Sequence, residues 1–138
     1  PRHRILVVDD SRAARQLLTA TLTSEGFDVL PFAGGLELLG HPGAWQASLI
    51  ITDLDMPGQD GIALIRSLRE RGADVPIAVL TGVGSEEDLN RALEAGADLA
   101  FEKAGLGERA FVAAVRDLVK NRPPVPKQDT EETNHAAD

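Results

Sequence analysis

Residues 49–61 read LIITDLDMPGQDG. Leu49 to Thr52 run without polar alternation into Asp53, and two more aspartates, a proline and two glycines follow before Ile62. A short apolar run of this kind, closed by turn residues, describes a strand covered on both faces. Negative charge at the mouth of such a strand is costly unless something neutralises it. The stretch therefore marks both a central strand and a candidate site at its carboxyl end.

Working outward, similar short runs occur at Ile5–Val8, Asp28–Phe32, Pro76–Leu80 and Asp98–Phe101. Longer amphipathic segments separate them, at Ser11–Glu25, Leu36–Trp45, Ile62–Arg71, Glu86–Ala95 and Glu108–Asn121. Apolar residues recur at helical spacing in Ala14, Leu17, Leu18 and Leu22, in Leu64, Ile65 and Leu68, and in Phe111, Val112, Val115 and Val119. Ser85 is placed to cap the helix that opens with Glu86-Glu87-Asp88, and Gly26, Gly72 and Gly96 stand where helices stop. Strict alternation of strand and helix predicts an α/β fold, a doubly wound parallel sheet with helices on both faces. Pro31 lacks the N–H that an interior ladder needs, which sends the second strand to an edge. Asp98, Ala100 and Glu102 make the fifth strand the other edge. The order that results is 2-1-3-4-5, the flavodoxin-like winding of a five-stranded sheet.

The bulk properties narrow the function. The chain has 138 residues, enough for one domain, and a net charge of -8, which disfavours direct contact with nucleic acid. It has no cysteine, so disulfides and thiolate metal sites are excluded. No apolar run approaches the roughly 20 residues of a membrane span, and the first run is too short for a signal peptide. The expectation is a cytoplasmic protein without membrane contact. Residues 3–121 carry the domain. Residues 122–138, opening with Arg122-Pro123-Pro124-Val125-Pro126, have little to bury and read as a disordered tail or linker.

Ligands of open α/β sheets bind at the carboxyl ends of the strands beside the switch in winding direction, here between strands one and three. Strand one ends in Asp9-Asp10, strand three in Asp53 with Asp55 beyond it, strand four in Thr81-Gly82 and strand five in Glu102-Lys103. Crowded carboxylates call for a hard divalent cation, and Mg²⁺ fits, because it takes few carboxylates, keeps waters and completes its shell with phosphate. Thr81 and Lys103 suit a phosphate as donor and counter-charge, and Gly82 offers a backbone N–H and room. With no cysteine or reactive serine at these strand ends, Asp53 is the natural phosphoryl acceptor.

This set of residues resembles the receiver domain of two-component response regulators, over roughly residues 3 to 121. The resemblance implies that Asp53 takes a phosphoryl group from a histidine kinase or histidine phosphotransfer protein. It implies that Asp10, Asp53 and the backbone carbonyl of Asp55 bind Mg²⁺ (with Mn²⁺ as a substitute), and that Asp9 assists through water or as an auxiliary ligand. Thr81 would swing to the phosphoryl oxygen and Lys103 would pair with it. The surface of the fourth helix, fifth strand and fifth helix would then switch, serving an output domain or a homodimer. Such a protein is no enzyme toward other substrates; its phosphotransfer and autodephosphorylation are self-directed.

Three departures from the family pattern stand out. Ala100 replaces an aromatic residue whose rotation usually accompanies the threonine, and Phe101 points to the other face. Ala104 replaces the proline that usually follows the lysine, which predicts a trans Lys103–Ala104 bond. Asp55 and Val83 occupy positions that modulate the lifetime of the acyl phosphate.

Other readings compete. Asp53-Leu54-Asp55 also resembles the acid pair of haloacid-dehalogenase-like Mg²⁺-dependent phosphatases, but Pro57 stands where those have Thr or Val, and there is no room for a cap. A receiver-like docking module without phosphorylation is the third. Single residues have plainer roles: Asp10 or Ser11 as cap of the first helix, Asp60 as cap of the third, and Trp45 as packing. His3, His41 and His135 share no ligand spacing, and Gly34-Gly35 is not followed by the Gly-Lys-Ser/Thr of a phosphate loop.

Overall fold

The computed structural model describes residues 2–41, 46–56, 61–82, 86–102, 107–120 and 122. Five strands alternate with five helices: β1 Arg4–Val8, α1 Arg12–Ser24, β2 Asp28–Phe32, α2 Gly35–Leu39, β3 Leu49–Asp53, α3 Gly61–Glu70, β4 Ile77–Thr81, α4 Glu86–Ala95, β5 Leu99–Glu102 and α5 Glu108–Val119. All strand pairs are parallel and the order is β2-β1-β3-β4-β5. Pro31 lies in edge strand β2, opposite Val7. The apolar runs β1, β3 and β4 are buried along their whole length, whereas β2 and β5 are partly open.

Two cores explain why the central strands show no alternation. Ile5, Val7, Leu49, Ile51, Ala78 and Leu80 face α1 and α5, meeting Leu22, Phe111, Val112, Val115 and Val119. Leu6, Val8, Ile50, Ile77 and Val79 face the other way, onto Leu38, Leu64, Ile65, Leu68 and Ala92 of α2, α3 and α4. Each strand residue has an apolar layer whichever way it points. Ala100 packs against the second of these layers and Phe101 against the first, so the two do lie on opposite faces. Phe101 meets Phe111 edge-on at 5.8 Å.

The second helix is shorter than its sequence pattern. It stops at Leu39, with Gly40 as C-cap, and Pro42 disfavours helical geometry at His41. Leu17 also departs from the buried stripe of α1 and is 70% exposed. Among the described residues, no helix is long and apolar enough to cross a membrane.

Polar staples close the amino-terminal edge of the sheet. Arg4 is buried and donates to Asp28 at 3.0 Å, joining β1 to β2. Arg69 donates to the carbonyls of Ala73, Val75 and Gly96 and to Asp98, all within 3.0 Å. Asp98 in turn accepts the Ile77 N–H at 2.8 Å, at the start of β4. One guanidinium thus satisfies carbonyls that two turns would leave unpaired. With that edge closed, the opposite edge is left to loops and ligands.

Candidate functional site

The carboxyl ends of β1, β3 and β4 bring the acids together. Val8 is in register with Thr52, and Asp53 with Leu80, so residues that follow these strands emerge side by side. Asp9 and Asp53 are 2% and 4% exposed, while Asp10 faces solvent. One carboxylate oxygen from each of Asp9, Asp10 and Asp53 lies within 4.8 Å of the other two.

Local hydrogen bonds orient these groups. Asp9 accepts the Ser11 N–H through Oδ1 at 2.9 Å, and its carbonyl takes the Arg15 guanidinium at 2.7 Å. Ser11 is the N-cap of α1, its hydroxyl oxygen accepting from the Ala14 N–H at 3.3 Å. The capping role therefore falls to Ser11 and leaves the Asp10 carboxylate to the cluster. Asp53 accepts the Asp55 N–H through Oδ1 at 3.0 Å, which turns the chain as it leaves β3. The Leu54 N–H donates to the Leu80 carbonyl at 2.8 Å and carries the ladder one step beyond the strand.

Gly61 explains the last glycine of the opening stretch. A Cβ there would lie 3.0 Å from the Asp53 carbonyl oxygen and 3.2 Å from the Leu54 Cα. Any larger residue would have to push aside the backbone that carries Asp53, so glycine suits this close start of α3.

Thr81 is 1% exposed, and its hydroxyl donates to Asp55 Oδ2 at 2.9 Å. The Gly82 N–H donates to the same oxygen at 2.7 Å. Thr81 and Gly82 thus present the two donors that the sequence assigns them, but to the Asp55 side chain. In the sequence, Asp55 is marked only as an acid two residues after Asp53, at a position tied to the lifetime of the acyl phosphate; its reach to β4 is visible only in the structure. Among the described residues, a Cβ on Gly82 would meet Asp55 Oδ2 at 3.6 Å, an ordinary contact distance.

The donor set suits a divalent cation. Three carboxylates supply hard oxygens with no nitrogen or sulfur, and the exposed Asp10 leaves a side open for water, as Mg²⁺ requires. An open cleft of about 310 Å³ runs from Asp9 between α1 and α5, lined by Leu17, Leu18, Thr21 and Phe111 among others. Two histidines have structural partners: His3 Nδ1 is 3.0 Å from Ser48 Oγ, and His41 meets Phe32 edge-on. Trp45, Asp60, Val83, Ser85, Lys103, Ala104 and His135, with the Lys103–Ala104 bond, lie outside the described residues.

The family model described as "Response regulator receiver domain" matches residues 5–116. The chain belongs to the response regulator receiver family. Response regulator MprA of Mycobacterium avium is 36% identical over 121 residues, covering 88% of this chain and 53% of that protein. The transcriptional regulatory protein AruR of Pseudomonas aeruginosa is 39% identical over 127 residues, covering 85% and 49%. Among solved structures, FixJ-N superposes with a TM-score of 0.79 at 27% identity, covering 89% of this chain and 98% of that one. The chemotaxis response regulator CheY4 of Vibrio cholerae gives 0.76 at 26%, covering 86% and 99%.

The receiver chain spans about half the length of the curated relatives it matches. The expectation of no nucleic-acid contact rests on the charge of these 138 residues and covers them alone. A relative named as a transcriptional regulator speaks against extending it to a longer protein. Neither the phosphatase nor the docking-module reading is favoured by these matches.

Proposed function

We propose that this receiver domain accepts a phosphoryl group on Asp53 from a histidine kinase or a histidine phosphotransfer protein. The observation that carries the reading is the meeting of Asp9, Asp10 and Asp53 at the ends of β1 and β3, where the winding switches. In the transfer, a carboxylate oxygen of Asp53 forms a bond to phosphorus. The phosphorus–nitrogen bond of the donor breaks, its electron pair returns to the imidazole, and an acyl phosphate results.

The chain's residues orient the reacting groups. The Asp55 N–H holds one oxygen of Asp53 and thereby aims the other. Thr81 and the Gly82 N–H are the donors for a phosphoryl oxygen, and Lys103 its cationic partner. Asp10, Asp53 and the Asp55 carbonyl are the proposed ligands of Mg²⁺ or Mn²⁺, with Asp9 auxiliary. When bound, the ion withdraws charge from the phosphoryl oxygens and lowers the repulsion between them and the acids. The cleft beside Asp9, with Leu17 exposed at its rim, suits the docking of the phosphoryl donor protein. The output runs through the α4–β5–α5 surface, to a further domain or a second copy. Ala100 leaves that face without the usual rotating aromatic ring.

Incubation with Mg²⁺ and acetyl phosphate tests the reading. One phosphoryl adduct on the intact protein, absent from Asp53→Asn, supports it. Multiple-turnover hydrolysis of unrelated phosphate esters favours a phosphatase, and absence of both adduct and Mg²⁺ binding leaves a docking module.

A further inference from the structure

We infer that the Asp55 carboxylate is an internal stand-in for a phosphoryl oxygen, a latch that holds Thr81 and Gly82 until phosphorylation displaces it. The inference rests on the phosphoacceptor reading of Asp53 and concerns how readily that site is occupied. Asp55 Oδ2 accepts from the Thr81 hydroxyl at 2.9 Å and from the Gly82 N–H at 2.7 Å. Both donors converge on a single oxygen, and bonds to a charged acceptor are the strong kind. These are the donors a phosphoryl group on Asp53 would need.

The geometry follows from neighbouring contacts. The bond from Leu54 N–H to the Leu80 carbonyl locks β3 to β4 just before both chains turn, so residue 55 faces residues 81 and 82. The bond from Asp55 N–H to Asp53 fixes the backbone from which the Asp55 side chain reaches across.

Two anionic oxygens cannot occupy one pair of donors at contact distance. The phosphoryl group therefore takes Thr81 and Gly82 only when Asp55 lets go. Asp55 is exposed, so its released carboxylate rehydrates without crossing the core. Until then Thr81, almost fully buried, is held toward the site. The latch thus keeps the donors organised while raising the threshold for occupying the site. Asp55 acts as a positioning residue through its side chain, separately from any role of its backbone carbonyl.

Beryllofluoride with saturating Mg²⁺ serves as probe, a phosphoryl mimic that needs no kinase. Its affinity is measured by calorimetry for wild type, Asp55→Asn and Asp55→Ala, and the Gly82 amide proton is followed by NMR. Asp55→Ala is expected to bind about tenfold tighter, since it has no charge-assisted bonds to break. Asp55→Asn keeps a neutral acceptor and is expected to fall between the two. The Gly82 resonance is expected to lie far downfield in the free wild type, to move upfield in free Asp55→Ala and to return on binding. Unchanged or weaker binding by Asp55→Ala overturns the latch while leaving Asp53 as acceptor. Equal tightening in both variants with an unmoved Gly82 resonance also overturns it, by reducing Asp55 to a general charge effect. Failure of the wild type itself to bind the probe removes the phosphoacceptor reading, and the latch with it.

Discussion

Asp53→Asn is expected to stabilise the ion-free protein while abolishing phosphorylation. The three carboxylates present oxygens within 4.8 Å of one another. At that separation and an effective dielectric constant near 20, each charged pair repels by about 3.5 kcal/mol. Solvent around the exposed Asp10 screens part of this, and Lys103, the expected counter-charge, offsets more. Asparagine retains an oxygen for the Asp55 N–H, so the turn after β3 keeps its bond. A net gain of about 1–2 kcal/mol remains, which corresponds to a rise in Tm of about 3–8 °C for a domain of this size. The assay is thermal unfolding followed by circular dichroism, first in EDTA and then in Mg²⁺. An ion that binds only the folded state at a hundred times its Kd adds about 2.7 kcal/mol, and the variant, lacking one ligand charge, gains less. The gap between the proteins is therefore expected to narrow or invert in Mg²⁺. A variant that is less stable in EDTA, or a gap indifferent to Mg²⁺, refutes the idea that charge crowding at Asp53 is relieved by a cation.

Three further outcomes follow from particular contacts. Gly61→Ala places a Cβ 3.0 Å from the Asp53 carbonyl, so it is expected to slow phosphorylation by acetyl phosphate more than it lowers Tm. Arg69→Ala leaves the carbonyls of Ala73, Val75 and Gly96 without their donor; a loss of about 2–3 kcal/mol in urea titrations is expected, with Mg²⁺ binding unchanged. Leu17→Glu alters an exposed residue at the rim of the cleft, so phosphotransfer from a protein donor is expected to slow while acetyl phosphate reacts as before.

The fold was legible because chemistry at a few positions left little choice. Three unalternating apolar runs required a sheet buried on both faces, and Pro31 excluded β2 from its interior. The clustering of Asp9, Asp10 and Asp53 was legible because charge at the end of a buried strand is costly unless it is paired or neutralised. What escaped the sequence depends on where side chains reach across elements. The grip of Asp55 on Thr81 and Gly82 spans two strand ends and leaves no periodicity. Arg4 and Arg69 belong to no motif or periodic pattern in the sequence, yet one is buried against Asp28 and the other donates to three carbonyls. Leu17 fits the helical stripe but sits at its margin, where α1 and α5 leave a cleft. Leu36 to Trp45 contains enough apolar residues to imitate one longer helix, whereas α2 ends at Leu39 with Gly40 as its C-cap, and residues 42–45 lie outside the described ones.

Mapping the phosphoryl adduct tests directly whether Asp53 is the acceptor. The protein is treated with acetyl phosphate and Mg²⁺, reduced with borohydride to convert an acyl phosphate to homoserine, digested and sequenced by mass spectrometry. Homoserine is expected at position 53 alone, with Asp9, Asp10 and Asp55 unmodified. Modification at any of those three instead, or none at Asp53 in protein shown to bind Mg²⁺, contradicts it.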